Sequence, residues 1–264
     1  MRWARFESNG QPSYCVIEGD TVIPVRGSPF EAWERTPERL RLADVKLLVP
    51  VVPPTFYAAG MNYAEHVMEV AEKLGRKPDL PPNADAGYRT VNALIAQGET
   101  IMIPADATDL VQYEAELVVV IGRRCKHLTR ENALSAVLGY TIGNDVSERT
   151  WQKSDRTLWR AKNTDTFKPM GPWIETDVKL EDLKTTVRLN REEKITFETN
   201  KMIHGVIDFL VNMTTCLTLY PGDVLWMGTE GATANMKHGD ICEIEITGIG
   251  TLTNPVVREG LGQP

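Results

Sequence analysis

Five consecutive Leu, Val and Ile residues, Leu117-Val118-Val119-Val120-Ile121, close on Gly122 and are led in by Val111-Gln112-Tyr113-Glu114-Ala115-Glu116. A short, β-branched apolar run of this kind specifies a strand buried on both faces, around which other elements must pack. Its entrance is unusual for a core strand. Side chains two apart on a strand project to one face, so Glu114 and Glu116 are expected side by side. Two adjacent carboxylates repel unless a proton or a cation lies between them. A cation held by oxygen ligands would be a hard one: magnesium, manganese or calcium. The other reading is a solvated strand entrance with two exposed glutamates, and the spacing alone leaves both open.

The 264 residues suit one large domain, or a main domain with a small companion, and 42% hydrophobic content supports a sizeable core. A net charge of −7 argues against a nucleic-acid or membrane-surface binder, since either needs a basic face. It leaves room for a small acidic substrate in a locally positive site. The cysteines at 15, 125, 216 and 242 form no CxxC pair, and read as reduced thiols of a cytoplasmic protein. The opening residues MRWARFESNG lack the apolar stretch of a signal peptide, and no apolar run reaches the length of a membrane span.

Short strands are expected at Trp3–Phe6, Ser13–Ile17 and Thr21–Val25, separated by Asn-Gly and Gly-Asp turns, with a short helix over Phe30–Leu42. The proline-rich Val49–Pro54 then acts as a stiff linker. This divides the chain into a small β-rich N-terminal domain, 1–52, and a main domain, 53–264. A strand at Thr55–Ala59 leads to Met61–Val70, whose second half has helical composition and places His66 and Glu69 on one face. Leu74–Ala86 has no apolar periodicity and is expected to be a loop; residues 67–86 together form a candidate lid. Further expectations are a helix opening at Thr129, a strand at Leu138–Ile142 running into the polar Gly143–Ser147 turn, and a helix over Asp208–Leu219. Five cationic residues between 153 and 168, interleaved with aromatics, read as a solvated face. Strands predominate, so the fold class is α+β, β-rich.

The segments NYAEHVME, YEAELVVVIG, GYTIGNDVS, AKNTDTFKPMGPW, YPGDV and GTLTNPVV stand in the order found in the fumarylacetoacetate hydrolase family, which the chain resembles over roughly residues 55–258. The resemblance implies a mixed β-roll, a homodimer, and a divalent metal, Mg²⁺ or Mn²⁺ with Ca²⁺ an alternative. It implies metal ligands at Glu114, Glu116 and Asp145, a base and its orienting carboxylate at His66 and Glu69, and an active-site lysine at Lys162. Gln152 and Thr229 match residues that contact substrate. There are departures. Arg89 lies near the usual lysine of a Phe-Lys-Pro-like segment, Thr229-Glu230-Gly231-Ala232 replaces Thr-Pro-Ala-Gly, and Lys168 stands where a small residue or cysteine is frequent. These changes bear on the substrate, because Arg and Lys grip a carboxylate differently.

The expected activity is metal-dependent hydrolysis of a carbon–carbon bond in a 1,3-diketo acid or acylpyruvate-type substrate. His66 would deprotonate water, Lys162 would stabilise the oxyanion, and an enolate would leave. The same residues would serve an isomerase of a 2-hydroxy-diene-dioate or an oxaloacetate decarboxylase. A binding protein that holds a metal and an oxo-acid without turnover is the reading from another class.

Overall fold

The apolar run becomes the centre of a mixed sheet. In the computed structural model, which describes residues 1–73 and 75–262, Ala115–Ile121 is a strand buried at every position. It pairs antiparallel with Val137–Asn144 on one side and with Val224–Trp226 on the other. Phe56–Ala59 extends the sheet in parallel beyond Val224–Trp226, and Lys168–Glu175 extends it antiparallel beyond Val137–Asn144. The N-terminal meander of Arg2–Ser8, Gln11–Glu18 and Thr21–Gly27 joins through Arg2 opposite Glu175 and Trp3 opposite Ile174. A second sheet is built from Ile101–Ile103, Gly250–Arg258, Ile241–Ile246, Lys184–Leu189 and Glu192–Glu198.

Alternation along the central strand feeds two cores. Ala115, Leu117, Val119 and Ile121 face the larger one, with Phe209, Leu210, Ile244 and Leu252. Val118 and Val120 face the other, with Trp3, Phe56 and Trp226. Each such side chain contributes roughly 1.5–3 kcal/mol on full burial, so this strand has no competitive position at an edge. Gly143, opposite Glu116 in the register, leaves room for Trp226: a Cβ there would lie 2.6 Å from the indole.

Four α-helices flank the sheets among the described residues: α1 (Ala64–Lys73), α2 (Arg149–Gln152), α3 (Trp159–Asn163) and α4 (Val206–Cys216). In α4, Val206, Phe209, Leu210 and Met213 are buried, the spacing of a helix with one apolar face. Asp208 accepts a hydrogen bond from the backbone N–H of Gly205 and stops its N-terminus from fraying. No helix among the described residues is long and apolar enough to cross a membrane.

Two expected helices take other forms. Phe30–Leu42 contains the short strands Trp33–Arg35 and Leu40–Arg41, both paired with Thr21–Gly27. Pro37 would interrupt a helix there, and Trp33 instead packs edge-on against Trp3 at 4.7 Å. The segment after Thr129 forms only a 3-10 turn, Ala133–Ala136. Of the candidate lid, residues 67–73 belong to α1, Leu74 lies outside the described residues, and 75–85 are irregular. Ala86 begins a strand, Ala86–Tyr88, that pairs with Phe56–Ala59. The irregular part is tied down by hydrogen bonds from Asn212 to the carbonyl of Ala84 and between His204 and the carbonyl of Pro81.

Candidate active site

Two strand ends build the acidic centre. Glu114 precedes the central strand, Glu116 lies in it, and Asp145 follows the neighbouring strand. The backbone N–H of Asp145 donates to the carbonyl of Glu114 at 2.8 Å, and the N–H of Glu114 donates to the Asn144 side chain at 3.0 Å. These bonds fix the turn beside the strand entrance. One oxygen from each of Glu114, Glu116 and Asp145 then lies within 4.8 Å of the others, and all three residues are buried. The solvated-entrance reading of Glu114 and Glu116 is therefore incorrect: the approaching turn closes over them. Three hard oxygen donors at this separation fit a divalent cation.

Cations surround the carboxylates. Lys162, on α3, donates to Glu114 Oε2 and, at 2.9 Å, to Asp145 Oδ2. Arg89 donates to Asp145 through Nη2 at 3.0 Å to Oδ2 and Nε at 3.1 Å to Oδ1. Lys168 lies 2.7 Å from Asp145 Oδ1, and Arg149 lies 2.6 Å from Glu114 Oε1. The basic stretch is thus divided. Lys153 and Arg156 are exposed as a solvated face requires, whereas Lys162 and Lys168 are buried against the acids. Asp155 positions α3 by accepting from the N–H groups of Arg160 and Ala161, and the Arg160 guanidinium stacks on Trp151 of α2 at 3.8 Å.

The electrostatic consequences differ among the acids. Burial alone would raise Glu114, but Lys162 and Arg149 outweigh it and hold the carboxyl down at about 2. Asp145 is likewise held well below the carboxylate range, burial being outweighed by Arg89, Lys162 and Lys168. Glu116 goes the other way: burial, then the charges of Asp145 and Glu114, push it up to about 8. Its Oε2 accepts from the backbone N–H of Gly228 at 2.7 Å, and among the described residues it forms no ion pair. Lys168 is lowered to about 8 by burial, partly offset by Asp145.

A pH test follows for chelator-stripped protein. Glu116 has an ordinary value of 4.5 and a folded value of about 8, so between these the folded state retains a proton that the unfolded state has lost. Its contribution is whole below 4.5 and disappears as pH rises to about 8. Glu114 and Asp145 titrate below that window, where their contributions fade as pH falls. The melting temperature of wild-type protein minus that of Glu116→Gln should therefore decline between pH 4.5 and 8; a flat difference rejects the assignment.

His66, on α1, is mostly buried, with its side chain 14% exposed and Nδ1 4.0 Å from Glu69 Oε2. That is too long for a hydrogen bond, and Nδ1 has no hydrogen-bond partner among the described residues. Burial lowers the imidazole below its ordinary value, with Arg149 and Lys162 acting in the same direction and Glu114 and Glu69 against it. Gly231, at φ +115°, passes over the ring: a Cβ there would lie 2.8 Å from Nδ1. Thr229 is buried next to Gly228 and accepts from the Gly231 N–H at 3.3 Å. Glu230 is pushed up to about 7 by burial and by Glu65 on α1. Gln152 stands one step from the carboxylates, accepting from Arg149 at 2.9 Å.

Arg149 was not marked by the sequence. It has the look of one more surface cation, and its link to Glu114 spans 35 positions; the only local hint is Gln152 three residues on, across one helical turn. Arg89, expected to face substrate, pairs with Asp145 and so stands within the acidic centre.

Residues 55–257 match the fumarylacetoacetate (FAA) hydrolase C-terminal model, and residues 1–50 match the Rv2993c-like N-terminal model. Protein Rv2993c of Mycobacterium tuberculosis is 38% identical over 98% of this chain and 99% of its own length. The mitochondrial oxaloacetate tautomerase Fahd2a of Rattus norvegicus is 31% identical over 81% of this chain and 70% of its own. The crystal structure of 5-carboxymethyl-2-hydroxymuconate delta-isomerase from Mycobacterium smegmatis superposes with a TM-score of 0.88, at 37% identity, covering 98% of this chain and 100% of the other. With the family model covering most of its length, this chain belongs to the fumarylacetoacetate hydrolase family.

Proposed function

We propose that the protein is a divalent-metal-dependent enzyme that moves a proton at the carbon beside the carbonyl of a 2-oxo acid, as an isomerase or tautomerase does. The observation that carries this reading is His66, a buried imidazole whose Nδ1 has no hydrogen-bond partner among the described residues and whose pKa is depressed by burial. Such a ring is neutral at physiological pH and free to accept a proton. The relatives named as an isomerase and a tautomerase support the same chemistry.

Glu114, Glu116 and Asp145 would hold Mg²⁺ or Mn²⁺, which when bound polarises a carbonyl as a Lewis acid. The remaining work falls to side chains. His66 takes the proton from carbon and delivers it either to the far carbon of the conjugated enolate, which moves the double bond, or to the enolate oxygen, which gives the enol. Lys162, whose ammonium already reaches two of the acids, faces the negative charge that develops on the enolate oxygen. Arg89 and Arg149 add positive charge that favours an anionic substrate over a neutral one.

Carbon–carbon hydrolysis of a 1,3-diketo acid or acylpyruvate is the second reading, favoured by the residual exposure of His66, which lets water reach it. There His66 takes the proton from water, hydroxide adds to the distal carbonyl, and the broken bond's electron pair leaves as the enolate. Assay in D₂O with oxaloacetate, an acylpyruvate and a 2-hydroxy-diene-dioate, with and without EDTA, separates the outcomes. Expected is EDTA-sensitive deuterium incorporation at carbon 3, or double-bond migration, without loss of carbon. Cleavage of the acylpyruvate selects hydrolysis, release of CO₂ selects decarboxylation, and no turnover of any of them selects the non-catalytic binding protein.

A further inference from the structure

Lys168 differs from the other cations of the site in having nothing left to give. It is the first residue of the Lys168–Glu175 strand and has no exposed surface. Its Nζ lies 2.7 Å from Asp145 Oδ1 and donates to the carbonyls of Phe167 at 2.8 Å and Val146 at 3.2 Å. An ammonium has three N–H groups, and here all three are engaged. Lys162, by contrast, is shared between two carboxylates, Glu114 Oε2 and Asp145 Oδ2.

The two oxygens of Asp145 therefore stand in different situations. Oδ1 receives Lys168 and the Nε of Arg89, while Oδ2 receives Lys162 and the Nη2 of Arg89. Freeing Oδ1 would require withdrawing a buried ammonium from its charge partner with no solvent to receive it, which is strongly unfavourable. Arg89 reaches both oxygens and so does not distinguish them; beyond it, Oδ2 is held by Lys162, which is shared with Glu114 and can turn toward an incoming ligand. Carboxylates commonly bind calcium through both oxygens, in shells of six to eight ligands, whereas magnesium demands a near-ideal octahedron.

We infer that Lys168 restricts Asp145 to offering one oxygen to a bound cation, and thereby makes the site favour small six-coordinate ions over calcium. This rests on the metal reading above and adds to it a residue that selects the ion. Lys168 is a positioning residue: it touches Asp145, not substrate.

The test is calorimetric titration of Mg²⁺, Mn²⁺ and Ca²⁺ into chelator-stripped wild-type and Lys168→Met protein. Loss of a group that orients a ligand lowers affinity about 10–100-fold. That loss should fall on Mg²⁺ and Mn²⁺, with Ca²⁺ compensated by the second oxygen, so that the Mn²⁺-to-Ca²⁺ affinity ratio drops about tenfold or more. A folded variant with an unchanged ratio overturns the inference and leaves the metal reading intact. Failure of the wild-type protein to bind any of the three ions overturns both. A measurement on wild-type protein decides the matter even where the variant does not fold. In [¹³C]aspartate-labelled protein loaded with Ca²⁺, the cation-minus-chelator infrared difference spectrum should show the wide carboxylate splitting of one-oxygen binding. The narrow splitting of two-oxygen binding overturns the inference.

Discussion

Glu116→Ala protein is expected to fold normally and to take up no stoichiometric Mg²⁺ or Mn²⁺. The three acids are not equivalent. Glu114 is neutralised by Lys162 and Arg149, and Asp145 by Arg89, Lys162 and Lys168. Glu116 receives a backbone N–H from Gly228 and is pushed up to about 8 by burial and by the other two acids. Its negative charge is therefore the one that most needs a cation and the one that contributes least without it. Removing it should cost more than the hundredfold loss typical of an outer partner, because a donor itself is gone. The fold should be spared, since an anion under repulsion leaves with the side chain. Melting of the metal-free variant should occur at or above the wild-type temperature near pH 8. Metal content by emission spectroscopy, with calorimetry of the same samples, reads both effects. One full equivalent of metal in the variant would remove Glu116 from the site.

The core of the fold was legible because it rests on local pattern. The run Leu117–Ile121 could only be a buried strand, and Asn9-Gly10 could only be a turn between strands; both forms appear. Phe30–Leu42 misled because charged residues are compatible with helix or edge strand, and the packing of Trp33 on Trp3 joins positions 30 apart. At the site, strand alternation was enough to put Glu114 and Glu116 together. Their burial was not legible, since it depends on Asp145 and Lys168 arriving from later strands. Arg149 and Lys168 share this property. Lys168 ends the stretch read as solvated and Arg149 stands just ahead of it, and only the crossing of the chain turns them inward.

This arrangement also explains why a site with three buried carboxylates can fold before it binds anything. Breaking a buried ion pair is costly, but a mutually satisfied cluster is tolerated. Among the described residues, four cations stand against these three acids, so the cluster is over-neutralised before a metal enters. A divalent ion adds to that positive excess. The site is then completed electrostatically by an anionic ligand, in keeping with an oxo-acid bearing at least one carboxylate.

His66→Ala protein should retain its metal and lose its turnover. General base catalysis contributes about 10²–10⁴ in rate, and kcat should fall by that factor with calorimetric metal affinity unchanged. The pH profile provides a sharper reading. Burial holds the imidazole below its ordinary value of 6.5, and only the unprotonated ring can accept a proton. In wild-type protein kcat/KM should therefore rise with pH through a value below 6.5 and then level off. The variant should lack that limb, whatever activity remains. Glu69 offers an internal comparison. Its carboxylate lies 4.0 Å from Nδ1, too far to fix the tautomer by a hydrogen bond in this arrangement, so Glu69→Gln should reduce kcat less than His66→Ala and move the limb downward in pH, because a nearby negative charge that favours the protonated ring has been removed. Unchanged turnover in His66→Ala, or a limb that persists in it, would assign the base to another residue.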